Sequence, residues 1–133
     1  MKYPLPALLA LLTMLVASCA SGANIPPDLS PAELIQRAQE SSDRNRFGQA
    51  LAFYEAVLER FPSDLDSVVA AEYEIAFILY RQRNFDEARA RFEALLSRYD
   101  APGGDALPEK FRVLAEIVLG RIDAAESRRG RRR

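Results

Sequence analysis

The sequence predicts an all-α protein built from two helical hairpins and one further helix. Three observations support this prediction. The stretch RFGQALAFYEAVLERFP (46–62) recurs without a gap as NFDEARARFEALLSRYD (84–100), at an offset of 38 residues. Each copy follows another segment of helical character, LIQRAQESSD and SVVAAEYEIAFILYRQR. Apolar residues of the first copy recur at the spacing of one helix face: Phe47, Ala50, Leu51, Tyr54, Leu58 and Phe61.

Local signals predict where several of the helices begin and end. Ser30 and Glu33 have the spacing of a capping box, and Pro31 between them suits a first helical position. Asp64 and Asp66 precede the next repeat, and we interpret them as helix-capping residues rather than as paired catalytic carboxylates. Gly103-Gly104 interrupts the helical pattern, and PEKFRVLAEIVLGRIDAAES then predicts one amphipathic helix.

The N-terminus has the layout of a secretory signal. Met1-Lys2 is followed by about a dozen mostly apolar residues, too few to span a bilayer comfortably, and small residues then lead to the only cysteine, Cys19. The segment Val16-Ala17-Ser18-Cys19 resembles the lipobox of bacterial lipoproteins. The resemblance implies cleavage after residue 18 and acylation (including palmitate) of Cys19. Residues 19–29 are then a short tether. An ordinary signal peptide with an incidental cysteine, or an uncleaved anchor, remains the alternative.

The repeated unit resembles the tetratricopeptide repeat. Phe47, Ala50, Tyr54 and Pro62 occupy the motif's aromatic, alanine, aromatic and proline positions, whereas Asp100 stands where the second copy is expected to have proline. The offset exceeds the family's usual 34 residues by four. The resemblance implies a domain over residues 30–126, with two full repeats and a C-terminal capping helix, as a fragment of a right-handed solenoid.

In that family the first helices of the repeats line a groove that holds a peptide. Carrying these positions over gives seven partner-binding candidates: Ile35, Gln39, Ser42, Tyr73, Phe77, Tyr80 and Arg81. The three aromatic residues share one helix face, and such a stripe fits either a core or an open binding face. If the face is open, the aromatic residues are anchors for a partner and Arg81 is available for a carboxylate.

Composition excludes several kinds of chemistry. The chain has no histidine and one cysteine, so His-containing zinc sites, Ser-His-Asp triads and an internal disulfide are unavailable. Neither a glycine-rich phosphate loop nor metal-ligand spacing occurs, so we predict no enzyme, metal or cofactor. The net charge is −1, but the last six residues, RRGRRR, carry five arginines. We interpret residues 127–133 as a solvated disordered tail, with attraction to anionic headgroups as the alternative and no nucleic acid as partner.

The lipobox, tether and aromatic repeats together are similar to outer-membrane assembly lipoproteins of the BamD/YfiO type. They are also similar to the repeat domain of the Tol-Pal-associated periplasmic coordinator. These resemblances imply a lipid-anchored, periplasm-facing adaptor for another envelope protein. Ala20 after the cysteine favours the outer membrane, with the outer leaflet of the inner membrane as the alternative. The rival hypothesis is a structural lipoprotein that self-associates through the helix 109–126.

Overall fold

Five α-helices joined by short turns make up the computed structural model, which describes residues 24–132. The helices are α1 (Pro31–Asp43), α2 (Phe47–Arg60), α3 (Leu65–Arg81), α4 (Phe85–Asp100) and α5 (Glu109–Gly130), with a short 3-10 turn at Gly104–Ala106. No strand occurs in this part of the chain. Helix α1 packs on α2, α3 packs on α2 and α4, and α5 packs on α4 and α3. The predicted all-α class and hairpin packing are confirmed, and the handedness of the solenoid stays a prediction.

The predicted caps form at the first and third helices. The Ser30 amide donates to Glu33 Oε2 at 2.9 Å, and the Glu33 amide donates to Ser30 Oγ at 3.3 Å. The Ser67 amide donates to Asp64 Oδ1 at 3.2 Å, so Asp64 caps α3. Because both caps satisfy amides that have no partner inside the helix, they define where these helices begin.

The two hairpin turns repeat each other in backbone geometry as well as in sequence. Asn45 and Arg83, which are 38 positions apart, both adopt left-handed backbone conformations, with φ of 57° and 62°. The amide after each of them donates to a carbonyl five residues earlier. These bonds are Arg46 to Ser41 at 2.8 Å and Asn84 to Leu79 at 3.0 Å. Asparagine tolerates this conformation well, whereas arginine does so at a cost.

Helix α3 lies between two clusters of buried side chains. One cluster joins α1 and α2 to one face of α3, and its members include Leu34, Ala38, Ala50, Tyr54, Val57 and Ile78. The other cluster joins the opposite face of α3 to α4 and α5, and its members include Val69, Tyr73, Phe92, Leu95, Phe111 and Ile122. Small residues such as Ala38, Ala50, Ala76 and Ala88 are fully buried, which allows the helices to approach closely.

The second half of the predicted tether is packed against the first hairpin. Leu29 is buried in the first cluster, and Ile25 is half-buried against the same cluster. The Arg60 guanidinium donates to the carbonyl oxygens of Pro26 at 2.7 Å and Ile25 at 3.3 Å. The boundary predicted at residue 29 is therefore too late, because apolar burial and a charged donor hold residues 25–29 to the domain.

The C-terminal prediction also needs correction. Helix α5 continues to Gly130, so residues 127–130, predicted to be disordered, are helical. Arg128 and Arg129 lie in the last turn, where cations are favoured by the helix dipole.

Cys19 and the signal peptide lie outside the described residues. Among residues 24–132, no helix is both long and apolar enough to cross a bilayer.

Candidate partner-binding face

Five of the seven predicted groove residues line two adjoining depressions on one side of the molecule. These five are Ile35, Gln39, Ser42, Phe77 and Arg81. We call this surface the inner face: it is formed by α1 and α3 together with the N-terminal half of α5. These five positions share one surface, and their role in binding a partner stays a prediction. Tyr73 and Tyr80 lie elsewhere.

The two depressions share two lining residues and differ in the others; we call them the upper depression and the lower depression. The upper one, of about 430 Å³, is lined by Ile35, Gln39, Asp66, Ser67, Ala70, Glu74, Lys110, Phe111 and Leu114. The lower one, of about 330 Å³, is lined by Gln39, Ser42, Asp43, Tyr54, Glu74, Phe77 and Arg81. Gln39 and Glu74 belong to both, so a bound segment that crosses the inner face passes over this pair.

Tyr73 is a core residue rather than an anchor for a partner. Only 6 % of it is exposed. Its ring centroid lies 5.9 Å from that of Phe77, 5.7 Å from that of Phe92 and 5.5 Å from that of Phe111. Helix α5 places Phe111 against Tyr73, and this packing makes Tyr73 part of the core, whereas Phe77 and Tyr80 of the same stripe are half-buried.

Arg81 is engaged within the fold and is not available as predicted. Its guanidinium donates to Ser42 Oγ at 2.8 Å and to Asn45 Oδ1 at 3.0 Å. The guanidinium carbon also lies 4.8 Å from the ring centroid of Phe47. These contacts join the end of α3 to the first hairpin turn, so Arg81 fixes one side of the lower depression.

The sequence interpretation missed Glu74, the most unusual side chain of the inner face. It lies half-buried at the junction of the two depressions. Desolvation raises the pKa of its carboxyl, the nearby Arg81 charge lowers it, and Asp43 raises it further. Within residues 24–132 its carboxylate has no ion pair and no hydrogen bond, because the Arg81 donors are directed to Ser42 and Asn45.

Tyr54 lines the lower depression, but its hydroxyl lies inside the fold. Tyr54 is fully buried, and within the described residues its hydroxyl has no hydrogen-bond partner. Burial raises the pKa of Tyr54, and the charges of Glu74 and Asp43 raise it further. A buried hydroxyl without a partner costs stability. A ligand on the inner face can therefore contact the half-buried Glu74 but not the Tyr54 hydroxyl.

The chemistry of this face suits a cationic or donor-bearing group. Glu74, Asp43 and Asp66 bring three carboxylates to it against two cations, Lys110 and Arg81. Gln39 brings an amide that both donates and accepts. Phe77 presents a partly exposed ring at the edge of the lower depression. In the part of the chain that the structure describes, no three acidic or thiol side chains cluster as metal ligands would. The sequence signal for Glu74 is a carboxylate between Tyr73 and Ile75, two side chains that are buried.

Comparison with known proteins identifies no family. No family model matches the chain, and no solved structure matches it. A similar protein, described as uncharacterized, occurs in Treponema pallidum (strain Nichols). It is 37 % identical over 106 residues, which cover 80 % of this chain and 42 % of that protein. The chain thus spans less than half the length of this relative, and the resemblance to tetratricopeptide lipoproteins stays a prediction.

Proposed function

We propose that this protein is a membrane-anchored adaptor that binds a segment of another envelope protein on its inner face and has no catalytic activity of its own. The lipobox-like sequence at Cys19 supports the anchor, on the outer membrane facing the periplasm, or on the outer leaflet of the inner membrane. With residues 25–29 packed on the domain, the chain from Cys19 to Asn24 reaches roughly 18 Å when extended. The domain then lies close to the lipid surface.

The observation that carries the proposal is Glu74, a half-buried carboxylate that makes no ion pair and no hydrogen bond among the described residues, beside Gln39. A partly desolvated carboxylate stabilises an incoming cation more than a fully exposed one does. A lysine ammonium has three donors, which match the carboxylate oxygens of Glu74 and the amide oxygen of Gln39. The nearby ring of Phe77 favours the same charge. We therefore expect the bound segment to insert a lysine or arginine side chain.

The test is site-specific photo-cross-linking in intact cells, with the photoreactive residue at Ile35 on the wall of the upper depression. The wild type is compared with Glu74→Gln, which removes the charge and keeps the shape. Glu55→Gln, an exposed position on α2, is the matched control. We expect a cross-linked envelope peptide with a basic residue, lost in Glu74→Gln and kept in Glu55→Gln. Identical cross-links in all three chains would refute the proposal.

A second candidate function, self-association, is favoured by exposed apolar side chains on α5. Val113, Leu114 and Ile117 are 47 %, 39 % and 46 % exposed. Val118 is only 2 % exposed and belongs to the core, so it cannot report on a surface contact. Light scattering of Val113→Ser/Leu114→Ser tests this function. A mass that halves relative to the wild type supports self-association, and a monomeric mass in both chains excludes it.

A further inference from the structure

A third depression lies on a different side of the molecule, between the C-terminal half of α5 and the turn that joins α3 to α4. Its volume is about 590 Å³. It shares no residue with the inner face. The lining consists of Tyr80, Arg83 and Phe85 from the turn, and Ile117, Gly120, Arg121, Ala124, Ala125, Arg128, Arg129 and Arg132 from α5 and the residues after it. We call it the arginine groove.

The walls of the arginine groove combine aromatic and apolar groups with open space. The ring centroids of Tyr80 and Phe85 lie 5.8 Å apart, and the Arg83 guanidinium lies 5.6 Å from the Phe85 centroid. Ile117 is exposed beside them. No other segment among residues 24–132 comes within 4 Å of where a Cβ on Gly120 would be. An apolar side chain of a ligand therefore finds both room and contact surface here.

The charged residues that line this groove are all arginines. Among the described residues, none of its five arginines lies within 4.0 Å of a carboxylate oxygen. The carboxylates on this part of α5 are already engaged, because Arg89 of α4 contacts Asp123 at 2.7 Å and Glu126 at 2.8 Å. The arginine Nε of Arg128 donates to the Ala124 carbonyl at 3.2 Å, which leaves its terminal nitrogens for other acceptors. The groove thus carries five cations without intramolecular counterions.

We propose that the arginine groove binds an acidic peptide segment of a partner protein, with an apolar or aromatic residue of that segment against Phe85 and Ile117. Charge complementarity identifies the occupant: guanidinium groups bind carboxylates with paired, directional hydrogen bonds. The recessed apolar floor suits a side chain better than a planar array of headgroups. From Ile117 to Arg128 the helix rises about 17 Å, which an extended segment of about five residues spans. This site is separate from the inner face and does not depend on the function proposed for it.

Fluorescence anisotropy of a labelled peptide with four glutamates around one phenylalanine tests the proposal, with the full chain in a neutral detergent. We expect saturable binding that weakens by about tenfold or more in Arg121→Gln/Arg128→Gln, since hydrogen bonds to charged groups are lost. The matched control is Arg44→Gln/Arg46→Gln, which removes the same charge from exposed positions near α1. We expect less than a twofold change in this control, in which only screened long-range attraction is lost.

A shape variant separates a groove from a merely basic surface. Gly120→Leu fills the open space without changing charge, and we expect it to abolish binding of the peptide without lowering the melting temperature. Unchanged affinity in Gly120→Leu, or equal loss in both arginine pairs, would overturn the proposal. So would stronger displacement of the peptide by glycerol phosphate or a short oligothymidylate than by the unlabelled peptide, because the groove would then be a phosphate site.

Discussion

Arg81, in the last turn of α3, donates a hydrogen bond of 2.8 Å to the hydroxyl of Ser42, in the last turn of α1. Helix α1 has no basic residue in its own last turn. The guanidinium from the second repeat therefore supplies the positive charge that the C-terminal end of α1 favours. The same group contacts Asn45 and Phe47, so one side chain joins the two hairpins.

Replacing Arg81 should loosen the contact between the hairpins. We expect Arg81→Gln to lower the free energy of unfolding by about 1 kcal/mol, because several hydrogen bonds of a partly exposed charged group are lost. Chemical denaturation at neutral pH measures this change. Arg46→Gln, at an exposed position in the first turn, should leave the stability within about 0.5 kcal/mol of the wild type. Equal stabilities of all three chains would contradict the structural role of Arg81.

Arg83 is expected to destabilise the second hairpin turn through its backbone conformation. With φ of 62°, it has the left-handed geometry that costs a non-glycine residue about 1 kcal/mol or more. Relief of this conformation in Arg83→Gly should raise the free energy of unfolding by about 1 kcal/mol. The greater chain entropy of glycine in the unfolded state should offset part of this gain. Gln82→Gly is the control, because Gln82 has an ordinary φ of −75° and glycine there should destabilise. Thermal unfolding of both variants shows whether the melting temperature rises in Arg83→Gly and falls in Gln82→Gly.

Glu74 should make stability depend on pH. Its pKa in the folded state is raised by desolvation, so the folded protein binds more protons than the unfolded chain above pH 4.5, the ordinary value. Stability therefore falls as pH rises from 4.5 through the raised pKa. We expect Glu74→Gln to melt at a higher temperature than the wild type at pH 7 and to lose this advantage at pH 4.

The control for this pH dependence is Glu55→Gln, on the exposed side of α2. The melting temperature of Glu55→Gln should stay close to that of the wild type at both pH 7 and pH 4. A Glu74→Gln variant that is less stable than the wild type at pH 7 would show that the Glu74 carboxylate is favourably compensated in the folded protein. That outcome would remove the electrostatic basis of the inner-face proposal.

Arg60 should hold the segment before α1 in place. We expect Arg60→Ala to speed limited proteolysis within residues 25–29 by about tenfold, since loss of two charged hydrogen bonds promotes local opening. Cleavage within α3 should stay at the wild-type rate. Arg44→Ala, on the exposed surface near the end of α1, serves as the control. Unchanged proteolysis of residues 25–29 would indicate that burial of Leu29 alone fixes the segment.

Two glycines are expected to respond in opposite directions to the same substitution. A Cβ on Gly104 would overlap the carbonyl of Tyr99, so Gly104→Ala should lower the melting temperature by several degrees. Gly120 lies within α5 and has open space around it, so Gly120→Ala should raise the free energy of unfolding by about 0.5–1 kcal/mol. Circular dichroism during heating measures both changes. Destabilisation by Gly120→Ala would mean that the groove beside it is closed.

The amino-acid sequence alone determined the helices and their order. Apolar residues at helical spacing define each helix, and Ser30 and Asp64 mark where two of them begin, because caps act within a few residues of the chain. The turns at Asn45 and Arg83 keep the same 38-residue offset, and the structure shows that they share one backbone geometry. The resemblance to known repeats also placed five residues on the inner face, since neighbouring repeats present equivalent positions to the same side.

Only the tertiary structure decided which of these residues are available to a partner. Tyr73 is buried because α5 brings Phe111 to it, and Arg81 is engaged because α1 ends beside it. Glu74 is desolvated by three helices that meet from distant parts of the chain. Arg128, Arg129 and Arg132 form one side of a groove only because α5 continues past the predicted boundary at residue 126 and faces the α3–α4 turn. Exposure and charge environment depend on which elements meet in space, and local sequence pattern does not contain that information.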